Sequence, residues 1–235
     1  MSGDLLRRAW AVTGYAVAMG YAEAAVVAYL RRLYGITDLL RDVPTKLDPL
    51  GWVELGREAA TLAMLFAVGQ AAGRSRPARW GAFLYAWGLW DLAYYVWLSL
   101  LVGFPRSFQD WDLLFLIPLP WWAPVWAPVL AAILLAVFGA TVAVRGESGA
   151  AVRVDPLSVV LACVGSAAAL GAVMAPALSR LGDGWPAAVA ARPQTFPWLL
   201  YLAGWAGVAW AAWRVASGRA GRADRLRAGR RRGTL

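Results

Sequence analysis

Three carboxylic acids lie deep inside apolar stretches of this sequence. They are Glu23, Glu58 and Asp91, and Glu54 lies near the edge of the stretch that holds Glu58. A carboxylate in hydrocarbon is destabilised by several kcal/mol unless it is paired, protonated or hydrated, so such acids are candidates for function. They could bind a cation, donate a proton as a buried general acid, or stabilise developing positive charge.

Polar side chains group on one face of each of two predicted helices. At about 100° per residue, one helix places four residues within an arc of about 100°, namely Glu54, Arg57, Glu58 and Thr61. The next helix groups Trp87, Asp91, Tyr94 and Tyr95 in the same way. Packing these two faces against each other and against Glu23 would remove the deep acids from lipid. The sequence therefore predicts one ligand-binding site built from these residues and Trp90.

The aromatic residues around Asp91 indicate what such a site would bind. Trp87 and Trp90 lie beside it in the sequence, and tryptophan faces attract cations strongly where water is excluded. A pocket of tryptophan, tyrosine and carboxylate favours an organic cation or a carbocation-like transition state. In the second case Glu58 and Asp91 are the candidate catalytic acids.

These residues also have a structural interpretation. Glu58 could pair with Arg57 or Arg106, and Asp91 could accept a hydrogen bond from a tyrosine between helices. Four arginines lie near the same ends of the apolar stretches: Arg31, Arg32, Arg41 and Arg106. They could bind a lipid phosphate or diphosphate, or pair with the aspartates beside them.

The composition excludes several kinds of site. The chain has no histidine and a single cysteine, Cys163. Haem ligation by histidine, zinc hydrolase sites, Ser-His-Asp catalysis and an intramolecular disulfide are therefore excluded. We expect no cofactor. The remaining metal hypothesis is a hard cation held by the oxygens of Glu23, Glu58 and Asp91.

The elements that position these residues are predicted to be membrane helices. Of 235 residues, 60% are hydrophobic and 16% are charged, whereas a soluble domain has about 25% charged residues. Six apolar runs have about the 20 residues that cross a hydrocarbon core of about 30 Å. They are Trp10–Leu33, Trp52–Ala72, Trp80–Val102, Pro124–Val144, Pro156–Ala175 and Pro197–Val215. The predicted fold is an all-α polytopic bundle of six transmembrane helices in one domain, residues 1–215, with a basic and disordered tail at residues 216–235.

The region Phe104–Trp122 differs from the rest because it is rich in proline and tryptophan. A helix cannot continue smoothly through Pro118 and Pro120, since each lacks an N–H group and clashes with the preceding turn. The apolar part, Leu113–Trp122, is too short to span. We predict an interfacial or re-entrant segment on the outer side, anchored by tryptophans. If it crosses instead, there are seven spans.

Lysine and arginine predict the orientation. With the amino terminus inside, the inner segments carry 15 basic residues and the outer loops carry 7. This bias places both termini in the cytoplasm, as in a bacterial inner-membrane protein. Eight of the 15 lie between Arg214 and Arg232, and this tail is expected to bind anionic lipid; nucleic acid is not an expected partner. The first residues also resemble a signal peptide, but the apolar character continues to Leu33, which favours a span.

One stretch of sequence carries a family signature. It reads WDLAYYVW at residues 90–97, FP at 104–105, WDLLFLIP at 111–118 and PW at 120–121. This pattern resembles uncharacterised bacterial multipass membrane proteins over about residues 54–130. The resemblance implies a membrane fold with its site in this segment and implies no reaction. In size the chain is also similar to membrane-embedded terpene cyclases, which use acids in an aromatic pocket, although no motif is shared.

Three functions remain open at this point. The first is binding of a lipid or a small apolar or cationic molecule from the outer leaflet, or an accessory-subunit role. The second is an enzyme acting on an isoprenoid or lipid, with Glu58 or Asp91 as the general acid. The third is the cation or proton site of a transporter. Oligomerisation through small-residue helix contacts also remains open.

Overall fold

The computed structural model describes residues 3–44, 48–150 and 152–217 and is dominated by helices. The helices are α1 (Gly3–Leu33), α2 (Leu39–Asp42), α3 (Pro49–Ala72), α4 (Arg76–Val102), α5 (Trp126–Glu147), α6 (Pro156–Val173), α7 (Ala175–Ser179), α8 (Trp185–Ala190) and α9 (Trp198–Ala216). A 3-10 turn covers Leu181–Asp183, and two strands, β1 (Trp111–Leu113) and β2 (Trp122–Pro124), pair with each other. A long helix thus occupies each of the six predicted apolar runs. The predicted basic tail lies outside the described residues, apart from its first two positions.

Local sequence signals fix where several long helices begin. The side chains of Asp48, Ser75 and Asp155 accept hydrogen bonds from backbone N–H groups in the first turns of α3, α4 and α6. In each case a proline follows within the first two helical positions. Backbone N–H groups at these positions have no carbonyl partner within the helix, so proline breaks no helical hydrogen bond there. At the other end of α4, Gly103 closes the helix in a left-handed conformation with φ of 67°.

The long helices alternate in direction, so their ends form two opposite faces of the bundle. At one end, Arg8 of α1 forms an ion pair with Glu147 of α5 at 2.6 Å and donates a hydrogen bond to the carbonyl of Ala72 in α3. At the other end, the guanidinium of Arg31 lies 4.1 Å from the ring of Phe104 and 3.9 Å from the carboxylate of Asp112. We call this second face the hairpin end, because the two strands lie there.

Close helix contacts divide the bundle into two groups. Helix α4 packs against α1, α3 and α5, whereas α6 packs mainly against α9. A Cβ atom on Gly81 of α4 would overlap the backbone of Ala143 in α5, and one on Gly165 of α6 would overlap that of Gly204 in α9. Glycine at these positions lets the backbones touch, as is common in helix pairs within membranes.

The structure supports the prediction of membrane helices only in part. Within the described residues, three helices are long and apolar enough to cross a membrane by length and composition, namely α1, α5 and α6. Helices α3, α4 and α9 have 24, 27 and 19 residues but fall short of that composition, so six spans are not established. Large apolar side chains nevertheless point outward, as in Leu199 of α9, which is 87% exposed.

The region predicted to be interfacial or re-entrant forms a short hairpin. Strands β1 and β2 run antiparallel, with Trp111 opposite Pro124 and Leu113 opposite Trp122. The chain is all-helical apart from these two short strands, as predicted. In this segment prolines prevent a helix, and the backbone groups pair across the hairpin instead. Each strand has three residues, whereas a membrane-crossing strand needs about 9–11. The hairpin therefore starts and finishes at one end of the bundle.

Candidate functional site

A cavity of about 350 Å³ lies between the two helix groups, and we call it the chamber. Helices α1, α3, α4 and α5 form one side, α6 and α9 form the other, and the hairpin covers one end. Its polar and aromatic lining residues are Glu23, Glu54, Arg57, Glu58, Trp87, Trp90, Asp91, Tyr94, Tyr95, Asp112, Phe115, Trp121, Ser166, Tyr201 and Trp205. Nine of the ten residues predicted from the sequence thus line one space. The tenth, Thr61, donates a hydrogen bond of 3.3 Å to Glu23.

Arg57 lies between two of the predicted acids. Its guanidinium forms an ion pair with Glu23 of α1 and donates hydrogen bonds to both carboxylate oxygens of Glu54, one of them at 2.9 Å from Nε. The side chains of Arg57, Glu23 and Glu54 are 21%, 12% and 15% exposed. One positive charge is therefore shared by two largely buried carboxylates.

Glu58 has a different partner from those that the sequence suggested. Both of its carboxylate oxygens lie 3.0 Å from the backbone nitrogen of Leu116, which donates to them from the tip of the hairpin. The prediction that Glu58 forms an ion pair with Arg57 or Arg106 is therefore wrong, because Arg57 forms its ion pairs with Glu23 and Glu54. The Glu58 residue is 3% exposed, so the hairpin tip and α3 hold each other through a buried charge-assisted hydrogen bond.

Asp91 has no hydrogen-bond or ion-pair partner anywhere in the part of the chain that the structure describes. The sequence also suggested that Asp91 accepts a hydrogen bond from a tyrosine. This is wrong, because neither Tyr94 nor Tyr95 donates to it. Tyr95 instead donates to Asp112 at 2.9 Å. Asp91 lies 11 residues from the end of α4 at Val102, which is about 16 Å along the helix. A carboxylate at this depth faces an aromatic cavity without a protein donor.

Asp112 lines the chamber but was not among the predicted site residues; the sequence offered it only as a pairing partner for a nearby arginine. It follows β1's first residue, is 3% exposed, and accepts the Tyr95 hydroxyl while facing the guanidinium of Arg31. The signal that could have found it is the repeated Trp-Asp-Leu triplet at residues 90–92 and 111–113. The structure brings both of these aspartates to the chamber.

A second cavity of about 200 Å³ adjoins the chamber at the hairpin end, and we call it the vestibule. The two spaces share four polar residues: Glu54, Glu58, Tyr94 and Asp112. The vestibule also contacts the loop after α1 and the start of α8, through residues that include Ile36 and Trp185. The chamber therefore has its polar connection toward the hairpin end. In the opposite direction its lining includes Leu84 and Leu135.

The charges around the chamber do not balance. The chamber is lined by five carboxylic acids, Glu23, Glu54, Glu58, Asp91 and Asp112, and two arginines, Arg57 and Arg31, face them. Three formal negative charges are left over if all five acids are ionised. In the residues that the structure covers, no group of three or more His, Cys, Asp or Glu residues has the arrangement of a metal site.

The four arginines that the sequence grouped near this site do not converge on the cavities, and two of them contact aspartates close by in the sequence. Arg41 forms an ion pair of 3.0 Å with Asp38 on the surface, where the two side chains are 76% and 41% exposed. The backbone N–H of Arg106 donates to Asp110 at 2.8 Å. Only Arg31 of this set lines the vestibule. The structure therefore does not gather these arginines into one phosphate-binding cluster.

The comparisons with known proteins returned no relative for this chain. No protein-family model, no curated protein and no solved structure matches it.

Proposed function

We propose that the protein is a polytopic membrane protein that binds an organic cation with an apolar body in the chamber. The observation that carries this proposal is Asp91, a carboxylate without a protein partner in an aromatic cavity inside the helix bundle. The proposal includes six membrane-crossing helices and a hairpin end that faces outward. Both termini then lie in the cytoplasm of a bacterial inner membrane, with the basic tail on anionic lipid.

The outer surface of the bundle supports placement in a membrane. Exposed apolar side chains occur on all the long helices, including those that fall short in overall composition: Leu100 of α4 is 71% exposed and Leu199 of α9 is 87% exposed. Several polar residues that lower the mean hydropathy of α3 and α4 line the chamber. Among them are Glu58, Arg57 and Asp91. A helix with an inward polar face and an outward apolar face suits a bundle that surrounds a polar cavity.

The charge of the lining favours a positively charged ligand. Arg57 is already shared by Glu23 and Glu54, and Glu58 is satisfied by the Leu116 N–H group. Asp91 alone lacks a donor. An anionic ligand, or a neutral one without a hydrogen-bond donor, would leave this carboxylate unpaired. A ligand cation would supply the missing partner and reduce the negative charge of the chamber.

The aromatic lining favours an organic cation over a bare metal ion. Trp87, Trp90 and Tyr94 lie on the same helix as Asp91 and line the same cavity. Aromatic faces attract desolvated cations by up to about 2 kcal/mol each, and they also offer apolar surface to the uncharged part of a ligand. A small metal ion would need several oxygen ligands at once, and two of the acids are committed to Arg57.

The vestibule gives the ligand a route from the hairpin end. Its lining combines apolar residues with four acids, Asp48, Glu54, Glu58 and Asp112, and with one arginine, Arg31, whose guanidinium faces Asp112. A ligand cation would therefore meet carboxylates along the whole path from the vestibule to Asp91. With the hairpin end outward, this path starts at the outer leaflet.

Binding of benzyltrimethylammonium to the purified full-length protein in detergent tests the proposal. Isothermal titration calorimetry should detect saturable binding, and Asp91→Asn should weaken it at least tenfold, which corresponds to about 1.4 kcal/mol. The matched control is Asp183→Asn, because Asp183 pairs with Arg180 on the surface, where both side chains are more than half exposed. The control should bind like the wild type.

Two results would contradict the proposal. Equal affinity of the Asp91→Asn and wild-type proteins would show that the partnerless carboxylate does not recognise the cation. Equal weakening by Asp183→Asn would show a general charge effect without a specific site. Thermal unfolding of each variant establishes that the folded state is being compared.

An enzyme acting on an isoprenoid is the second candidate, and the same aromatic surroundings of a carboxyl group favour it. In that function Asp91, or Glu58 after release of Leu116, would donate a proton, and Trp87, Trp90 and Tyr94 would stabilise the resulting cation. Incubation with an isoprenoid followed by mass spectrometry distinguishes the two functions. Consumption of the isoprenoid that is lost in Asp91→Asn supports the enzyme, and unchanged isoprenoid supports binding alone.

A further inference from the structure

A third cavity of about 210 Å³ lies between α5 and α9, and we call it the groove. Its lining is apolar except for Thr141 and includes Leu134, Val137 and Phe138 of α5 and Ala209 of α9. Leu135 and Trp205 separate it from the chamber, because they line both spaces. The groove contains no carboxylate, so it differs chemically from the site described above.

Helices α5 and α9 start together and run in the same direction, so the groove lies between their second halves. At their starts the rings of Trp126 and Trp198 stack at 3.9 Å, and the Tyr201 hydroxyl donates to the carbonyl of Ala127 at 2.7 Å. The residues that line the groove reach Ala216, at the end of α9. The groove therefore points away from the hairpin end.

Arg145 follows the groove along α5, beyond the last α5 residue of its lining, Thr141. At about 100° per residue, it falls on the same face of α5 as Leu134, Phe138 and Thr141, one turn beyond Thr141. Its Nε atom is buried and has no hydrogen-bond partner, and no ion pair to Arg145 occurs in the part of the chain described. Two other arginines at this end of the bundle are paired: Arg8 with Glu147 and Arg214 with Asp155.

Arg145 lies near the charged end of the bundle. It lies two residues before Glu147, which forms the ion pair with Arg8 at this end of the bundle. From Leu134 to Arg145 the helix rises about 16 Å. An apolar groove of this length thus ends beside an unpaired cation at the level where other charged side chains begin.

We propose that the groove binds one anionic phospholipid, with an acyl chain along α5 and α9 and the phosphate on Arg145. Charge complementarity selects this occupant: the groove offers apolar surface for a chain and a guanidinium whose fork matches phosphate geometry. Val137 in the groove lining is 63% exposed, so the space opens sideways to surrounding lipid. The site rests on α5 and α9 crossing the membrane, and it is independent of what the chamber binds.

Titration of the detergent-purified full-length protein with phosphatidylglycerol, followed by native mass spectrometry, tests this site. Phosphatidylcholine and inorganic phosphate serve as the neutral lipid and the free anion. We expect one tightly bound phosphatidylglycerol, and we expect Arg145→Gln to weaken its binding about tenfold, as for loss of a charge-assisted hydrogen bond. Arg145→Lys should retain most of the affinity, and Arg153→Gln, at an exposed arginine of the same end, should bind like the wild type.

A second variant tests the acyl chain separately. Ala209→Leu narrows the groove and leaves Arg145 in place, so it should also weaken phosphatidylglycerol binding. The site is refuted if Arg145→Gln binds phosphatidylglycerol like the wild type, or if Arg153→Gln loses as much affinity. Unchanged binding in Ala209→Leu, equal binding of phosphatidylcholine, or displacement of the lipid by inorganic phosphate would each contradict a phospholipid seated in the groove. Dimer formation that is blocked by Ala209→Leu would identify a second copy of the chain as the occupant and overturn the proposal.

Discussion

Replacing Arg57 by methionine is the sharpest test of the electrostatic arrangement at the chamber. Arg57 is the shared partner of Glu23 and Glu54, whose side chains are 12% and 15% exposed. Arg57→Met therefore leaves two largely buried carboxylates without a cation. Loss of one partner of a buried pair destabilises a protein by about 3–5 kcal/mol. Because these groups keep some contact with solvent, we expect about 3 kcal/mol for Arg57→Met.

Two further variants separate charge from packing. In the combination Arg57→Met, Glu23→Gln and Glu54→Gln, no buried charge of this cluster remains unpaired, so stability should return to within about 1 kcal/mol of the wild type. Arg41→Met removes the exposed ion pair with Asp38 and should change stability by less than about 1 kcal/mol. Unfolding of the purified full-length protein in mixed micelles, followed by circular dichroism, measures all three.

The reasoning is refuted by either of two outcomes. If Arg57→Met is destabilised no more than Arg41→Met, the carboxylates do not depend on Arg57. If the triple variant is as unstable as Arg57→Met, the loss comes from packing of the long side chain and not from unpaired charge.

Two other predictions concern the ends of the bundle. Hydrogen bonds from Ser158 and the ion pair with Arg214 lower the pKa of Asp155 to about 2, so ionised Asp155 stabilises the fold above its ordinary pKa of 3.8 and this contribution disappears as the pH falls toward 2. The thermal midpoint of Asp155→Asn should therefore lie below that of the wild type at pH 6 and approach it near pH 2. A difference in midpoint that stays constant with pH would contradict this prediction. The second prediction concerns which end of the bundle faces outward, and it uses single cysteines in a Cys163→Ala background. Gly182→Cys, at the hairpin end, should react with an impermeant maleimide in intact cells, whereas Ser148→Cys, at the opposite end, should react only after permeabilisation. The reverse pattern would overturn the proposed orientation.

Much of the architecture follows from local features of the sequence. The lengths of the six apolar runs predict long helices. Three of these helices also have a local start signal, an Asp-Pro or Ser-Arg-Pro sequence at Asp48, Ser75 or Asp155. The shared faces on α3 and α4 follow from helical periodicity alone. These features were enough to place Glu58 and Asp91 on one cavity, while a binding role for them stays a prediction.

The contacts that organise the site could not be predicted from local features of the sequence. Glu58 is held by the N–H group of Leu116, and every residue except proline has such a group, so no residue type marks this partner. The hairpin has strands of three residues, which are too short for an alternating pattern to be recognised. Asp112 follows from neither periodicity nor apolar context, because its burial depends on how the hairpin folds back onto Arg31 and Tyr95.

The position of the hairpin in the chain has a consequence for biogenesis. Helices α1, α3 and α4 leave the ribosome before the hairpin, whereas α9, which supplies Tyr201 to the chamber wall, is made last. Glu23 and Arg57 can pair as soon as α1 and α3 meet, but Glu58 must wait for Leu116. In the proposed membrane protein, we expect the early pair to shield charge during insertion and the hairpin to pack onto helices that have already assembled. We also expect the cavity to be completed late, because α9 follows all the other helices within the described residues.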